Sequence, residues 1–456
     1  RQSMSWLHTW ASLILGWLLY AIFVTGTLSF FQNEISTWMK PETHQSIPAQ
    51  SQVQQMQVAL NYLQKNHPDA GSWNIQLPNS RQTTTEVTIR AVGEDPKARR
   101  GGTRITLDSA TGEVIKPRDT RGGGFLYRFH FELYGLPRLW TRWLVGIATM
   151  FMLVAIVSGI ITHKKIFKDF FTFRSGKGQR SWLDAHNATA VFALPFHLMI
   201  TFSGLLLLMF MFMPWGINQA YENRQQFLRD QQASMIEQPQ KAEDVPREGE
   251  RAARGERGQQ RGEHAQGRGE ERPSQPELRP ATLTDLAPIM AAVQQQWKDN
   301  PIASINIISP NTDQAKIELR ALRAESVAHR NVYATLNYNG VTGQDETDKN
   351  IRIKNPSIPS GIYNVVTVLH EARGLDLALR WLLFCSGILG TLLVATGLIL
   401  WCVKRAPQQQ KQGYKSFGFR LVEVLNIAAI IGLPLACAAY FYANRFIPAD
   451  VEMRLN

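Results

Sequence analysis

Six of the chain's ten histidines, His8, His130, His163, His186, His197 and His370, stand within or at the ends of strongly apolar runs. His186 sits at the mouth of the run from Leu183 to Trp215, and His197 follows eleven residues later, roughly 16 Å deeper along one helix. A polar side chain in such a run is costly in lipid and marks a buried functional site. Neutral imidazoles facing one another in a helical bundle can ligate a haem iron, one ring on each side of the macrocycle. Zinc fits less well, because it wants a compact ligand set and these histidines are spread through the depth of the runs. His370-Glu371 begins like HExxH, but Gly374 stands where the second histidine belongs. Cys385, Cys402 and Cys437 form no CxxC or CxxCH, so any haem is held without a covalent link, and the cysteines read as small packing residues with no disulfide.

The runs that carry these residues are long enough to span a bilayer, which takes about 20 apolar residues. They are Trp6 to Phe31, Leu139 to Ile161, Ala188 to Trp215, Leu377 to Val403 and Leu421 to Phe441. The first is too long for a secretory signal and lacks a small-residue cleavage site, so it is expected to be retained. Short loops carry the positive charge: Lys164, Lys165, Lys168, Arg174, Lys177 and Arg180 in one, and Lys404, Arg405, Lys411, Lys415 and Arg420 in another. Such loops stay cytoplasmic, which puts the two long polar segments outside. Arg142 and Arg380 then stand at the outer ends of their spans, placed to meet haem propionates or, more plainly, to snorkel at the interface. The net charge of +12 and the pI near 9.7 follow from the basic loops, and no nucleic-acid-binding signature accompanies them.

The fold class expected is a membrane α-helical bundle of about five transmembrane helices with two periplasmic α+β modules. In order these are a span (1–33), a module (34–137), a span (138–163), a cytoplasmic loop (164–185) and a span (186–215). A periplasmic extension (216–280), a second module (281–374), a span (375–403), a cytoplasmic loop (404–420), a span (421–443) and a periplasmic tail (444–456) follow. Helical patterns at Val53 to Gln64 and Leu283 to Trp297 precede alternating strands at 85–90, 104–107, 305–308, 315–319 and 333–336. Turns are expected at Thr111-Gly112 and Thr342-Gly343, and a loop at Gly122-Gly123-Gly124. Glu237 to Pro280 is rich in Arg, Glu, Gln and Gly and is expected to be disordered.

The pattern repeats. His8 precedes Thr25-Gly26 as His186 precedes Ser203-Gly204, and Arg142-Trp143 precedes Ser158-Gly159 as Arg380-Trp381 precedes Thr396-Gly397. Two copies in one orientation imply a pseudo-two-fold axis along the membrane normal. In that register His8 matches His186 and His130 matches His370 with a two-residue gap, while Leu19 and Trp401 stand opposite His197 and His163. His130 and His370 are therefore expected to form an outer pair, and His186 an inner pair with one of His8, His163 or His197. Pro195 is expected to kink the helix beside His197.

Ser5-Trp-Leu-His8 with Thr25-Gly26, KKIFKDFFTFR from Lys164, Leu183-Asp-Ala-His186-Asn187 with Pro195-Phe196-His197, and Leu369-His370 with Arg380-Trp381 resemble the PepSY-associated transmembrane family. The outer modules, most clearly DSATGEV from Asp108, resemble PepSY domains. The resemblance covers nearly the whole chain and implies a bacterial inner-membrane protein of iron uptake. It further implies a ferric-siderophore reductase with two b-type haems. With no Rossmann or flavin signature in the chain, the electron donor is expected to be separate, a cytoplasmic reductase or a quinol. Two other readings are a PepSY-bearing binding or regulatory protein without redox activity, and a siderophore transporter.

Overall fold

The computed structural model of the chain describes residues 2–48, 51–98, 101–163, 173–219, 221–222, 224–233, 235–237, 278–349 and 352–451. Lys164, Lys165 and Lys168 of the first basic loop, and 238–277 of the segment expected to be disordered, lie outside the described residues.

The chain begins with α1 (Gln2–Ile14) and α2 (Gly16–Ser29), followed by a short α3 (Gln32–Trp38). The first polar segment contains α4 (Gln52–Asn66), β1 (Ser72–Gln76), β2 (Thr85–Arg90), β3 (Thr103–Leu107) and β4 (Val114–Ile115). From there α5 (Gly122–Glu132) and α6 (Arg138–Thr162) return through the bundle, and α7 (Gln179–Phe192) and α8 (Leu194–Phe212) begin the second half. Next come α9 (Pro214–Asn218), α10 (Arg224–Ala233), β5 (Ile236–Glu237), α11 (Leu286–Trp297), β6 (Ile302–Ile308), β7 (Lys316–Ala324), β8 (Tyr333–Asn339) and β9 (Arg352–Ile353). The chain then forms α12 (Ile358–Glu371), α13 (Leu377–Gln412), α14 (Phe417–Ile427), a π-helical turn (Ala428–Gly432) and α15 (Leu433–Phe446).

Among the described residues, α6, α8, α13 and the continuous Phe417–Phe446 helix are each long and apolar enough to cross a bilayer, and the bent pair α1–α2 makes a fifth if taken as one span. Leu139, Trp140, Ile147, Val157, Leu382 and Leu392 are exposed on α6 and α13, as befits lipid-facing sides. The first and third runs differ from the single helices expected. α1 and α2 meet at 64° around Leu15, and the third run divides at Ala193, so that His186 belongs to α7 and not to the spanning α8. Both breaks fall seven residues after a histidine, and both residues have nearly the same backbone, φ −114 and ψ 10 at Leu15, φ −107 and ψ 21 at Ala193. Pro195 has no N–H to continue the ladder of α7. At the other break Gly16, a poor helix former, brings α2 so close to α13 that a Cβ there would stand 2.7 Å from Leu398 Cδ2.

The two polar segments, expected as separate modules, share one antiparallel sheet of order β4-β3-β2-β1-β6-β7-β8. β1 was not foreseen, and it pairs with β6 in a register centred on Asn74 opposite Asn306. Unpaired, those two strands would each present an open row of backbone donors and acceptors. α4 and α11 cover one face, and Met56, Leu60, Leu63, Leu286, Met290 and Val293 pack on Trp73, Ile75, Val87, Ile305, Ile307 and Leu319. Ser51 and Asp285 cap those helices by accepting from Gln54 N and Ala287 N. The expected turns are present, with Gly112 and Gly343 at φ +77 and +72 while Asp108 and Asn339 accept two backbone N–H groups each.

Gly122-Gly123-Gly124 forms the first turn of α5 and not a loop. Gly123 lies against α3 where a Cβ would meet Gln32 O at 2.2 Å, so the missing side chain is what lets the two helices touch. The last helix braces the α1–α2 break: Trp17 Nε1 donates to Asn426 Oδ1 at 2.9 Å, Asn426 Nδ2 donates to Leu398 O at 3.2 Å, and Tyr20 Oη donates to Ile430 O at 3.3 Å in the π turn.

Candidate functional site

Two histidine pairs lie one above the other in the bundle. His8 of α1 and His186 of α7 have ring centres 6.2 Å apart, toward the end away from the sheet. His130 of α5 and His370 of α12 have ring centres 6.1 Å apart, toward the sheet. Each ring is tied by Nδ1. His8 Nδ1 lies 2.8 Å from Ala155 O, His186 Nδ1 3.1 Å from Leu393 O, His130 Nδ1 2.8 Å from Ile22 O, and His370 Nδ1 2.6 Å from Ser203 Oγ. An Nδ1–H that donates fixes the tautomer whose Nε2 carries a lone pair, the form that binds a metal.

Every one of these rings is seated on a Ser/Thr-Gly step of a different helix. Cβ atoms at Gly159, Gly397, Gly26 and Gly204 would stand 3.2, 3.1, 2.6 and 3.4 Å from the Cε1 of His8, His186, His130 and His370. The preceding Ser158, Thr396, Thr25 and Ser203 turn their hydroxyls back onto carbonyls three and four residues earlier. In three seats the histidine shares the carbonyl three residues before the Ser or Thr. The Ser/Thr-Gly pairs were visible in the sequence only as marks of repetition. Their role as seats was missed because each histidine uses the step of another helix.

The pairs border two cavities. The outer, about 260 Å³, is lined by His130 and His370 with Phe23, Phe131, Arg142 and Glu371. The inner, about 580 Å³, contains His8, His186, His163 and His197, with Asn187, Trp401, Lys404 and Arg405 on its walls. Leu19 and Met152 border both.

His163 caps α6 and contacts Asn187, with 3.0 Å between its Nε2 and the amide nitrogen. His197 is 1% exposed and lies edge-on to Phe23 and Phe196. The Ala190 carbonyl faces that ring without reaching hydrogen-bond geometry, and neither ring nitrogen is bonded among the described residues. Neither His163 nor His197 pairs with His186 as His8 does.

The two arginines part company. Arg142 pairs with Glu132 and faces the outer cavity, whereas Arg380 is buried against Glu34 and over the Phe31 ring, away from the described cavity wall. Burial alone would raise the Glu34 carboxyl, but hydrogen bonds from Arg81 and Arg380 outweigh it and hold the group below the usual carboxylate range. Glu132 and Glu371, each just past an outer histidine, gather Arg138 with Arg142 and Arg330 with Arg373.

No group of three or more His, Cys, Asp or Glu side chains suited to a bare metal ion occurs among the described residues. A two-histidine site suits an iron whose other positions are filled by a macrocycle. Two imidazoles bound end-on to one metal, with bonds of about 2.0–2.1 Å as in histidine–zinc sites, bring their ring centres to about 6.3 Å apart. The observed 6.2 and 6.1 Å, the tied Nδ1 atoms and the glycine seats fit a haem at each pair.

A family model described as the PepSY-associated TM region matches residues 5–404. No curated protein matches the chain.

Proposed function

The chain belongs to the PepSY-associated TM family, a multi-pass membrane protein, and we propose that it is a di-haem b reductase of ferric siderophores in the bacterial inner membrane. The reading takes the halves of the chain as copies of one unit, each with a PepSY-like module, and places the sheet in the periplasm and the basic loops in the cytoplasm. The observation that carries it is the pair of histidine couples at matching spacing, stacked between the two ends of the bundle.

His8 and His186 would hold one haem and His130 and His370 the other, each ring oriented by its Nδ1 bond and its glycine seat. Lys404 and Arg405 at the inner cavity, and Arg142 at the outer, are the cations available to carboxylates. Bound there, haem supplies one-electron couples at two depths. The chain's own residues would keep water from the route: Leu19 and Met152 border both cavities, and Phe23 and Phe196 pack with them beside the outer one. The ferric chelate is the substrate on the sheet side, and its reduction loosens the iron because Fe(II) carries less charge and is held poorly by oxygen-rich chelators.

Purified protein should be red, with a Soret band that shifts on adding dithionite and returns on adding a ferric siderophore, at two haems per chain. Colourless protein that folds and binds a peptide partner would support the binding-protein reading instead.

A further inference from the structure

The two cavities surround histidine pairs of the same spacing, yet the inner is more than twice the volume of the outer, 580 against 260 Å³. The same group fitted to both pairs leaves room over at the inner end. That room is walled mainly by apolar side chains and holds buried polar atoms with unmet bonding capacity. Trp401 Nε1 is buried without a hydrogen-bond partner, and so are both nitrogens of His197, whose ring is 1% exposed. A buried donor left unpaired costs about 1–3 kcal/mol, so the Trp401 indole N–H on this cavity wall points to a ligand that accepts from it. The rest of the wall includes Leu13, Ile160 and Leu400. On the same wall the Asn187 amide nitrogen stands 3.0 Å from His163 Nε2. The matching positions in the other half are Thr9 and Trp401, so the polar pair occurs on one side only.

We propose that the inner cavity binds a hydroquinone of the membrane as the electron donor, with its ring among the apolar side chains. Trp401 Nε1–H donates to one ring oxygen, and Asn187, held by its amide nitrogen against His163 Nε2, accepts the other hydroxyl on its Oδ1. This rests on the reading of the histidine pairs as haem sites. An apolar ring that carries two oxygens matches an apolar cavity whose wall holds an unpaired indole donor and an asparagine–histidine pair. One quinol oxidised to quinone releases two electrons and two protons. Two ferric chelates each take one electron to become ferrous, and both protons leave past His163 toward the basic end.

The test uses the haem-loaded full chain, with a short-chain ubiquinone and its quinol as probes. Equilibrium dialysis should show one quinone bound per chain, with Kd raised at least tenfold in Trp401→Phe and in Asn187→Leu. Anaerobic mixing with the quinol should reduce the haem in the wild type. The two variants should reduce at least tenfold more slowly at low quinol and recover at high quinol, while dithionite reduces all three alike. An azido-quinone should label peptides containing Asn187 or Trp401 in the wild type, which keeps the proposal open to refutation if a variant does not fold. Haem-loaded protein that binds no quinone, or that is labelled elsewhere, or that accepts electrons only from a soluble flavin reductase, would overturn the donor site and leave the haem reading standing. Protein that takes up no haem would sink that reading, and quinone binding would still be measurable by dialysis.

Discussion

The two halves of the chain meet twice, in the sheet through β1 and β6 and in the bundle around the histidine pairs, and the meetings are built in opposite ways. In the sheet large side chains fill the join, with Trp73, Ile75, Ile305 and Ile307 fully buried. In the bundle side chains are withheld, and Gly26, Gly159, Gly204 and Gly397 give up their place to imidazole rings. Packing density is what stabilises the first, whereas the second leaves cavities that cost stability until something fills them. Space is thus concentrated at the histidine pairs, and the sheet is where the fold is secured.

Breaking the filled join has the largest effect. Trp73→Ala should destabilise the protein by about 3–5 kcal/mol, read from denaturant unfolding of the sheet in detergent, because the cavity left cannot collapse under two helices. His370→Ala comes next: one of two haems should be lost or turn high-spin, the other should remain reducible, and ferric-chelate reduction should fail. Two intact low-spin haems and normal activity in that variant would refute the outer pairing. Gly26→Val should act more mildly and on the outer site alone, since even a Cβ there stands 2.6 Å from the His130 ring. Haem content should fall toward one per chain while sheet unfolding is unchanged, and parallel losses in both would show that the seat is structural.

The smallest effect sharpens the contrast at the junction of sheet and bundle. Glu34 ties Arg81 of the sheet side to Arg380 of α13, and its folded carboxyl lies below its unfolded value. Its contribution is therefore complete above the unfolded pKa and is lost as pH falls through the lower folded value. With the carboxylate a third exposed, screening limits it to under about 1 kcal/mol. Thermal unfolding of wild type and Glu34→Gln should differ at neutral pH and converge in acid. Curves that stay parallel throughout would remove Glu34 from the linkage.

Much of the bundle was legible because its signals are long: apolar runs, histidines inside them, and Ser/Thr-Gly steps at fixed spacing. The pairing of His130 with His370 follows from register, whereas His186 kept His8, His163 and His197 as candidate partners until the bundle set His8 beside it. The seats are contacts between helices far apart in sequence, such as Gly159 with His8, and no local pattern announces them. The breaks at Leu15 and Ala193 were half visible, through Pro195 but not through Gly16. β1 was legible in principle, because Ser72–Gln76 alternates polar with apolar at every step, but it is only five residues long and is held as a strand by neighbours on both sides that come from distant parts of the chain. Arg142 and Arg380 looked equivalent in the sequence. Glu132 and Glu34, which separate their fates, come from different parts of the chain.

The β1–β6 ladder also acts as a yoke. Five residue pairs run from Ser72 opposite Ile308 to Gln76 opposite Ser304, and they lash the halves of the chain together beyond the end of the bundle. Transporters built from repeats carry cargo by rocking one repeat against the other about a central site. Here a displacement of one half against the other at the sheet end would have to break the ladder in the middle of a seven-stranded sheet. A frame locked in this way fixes the halves at the sheet end, and with them the spacing at which the two histidine pairs are held below.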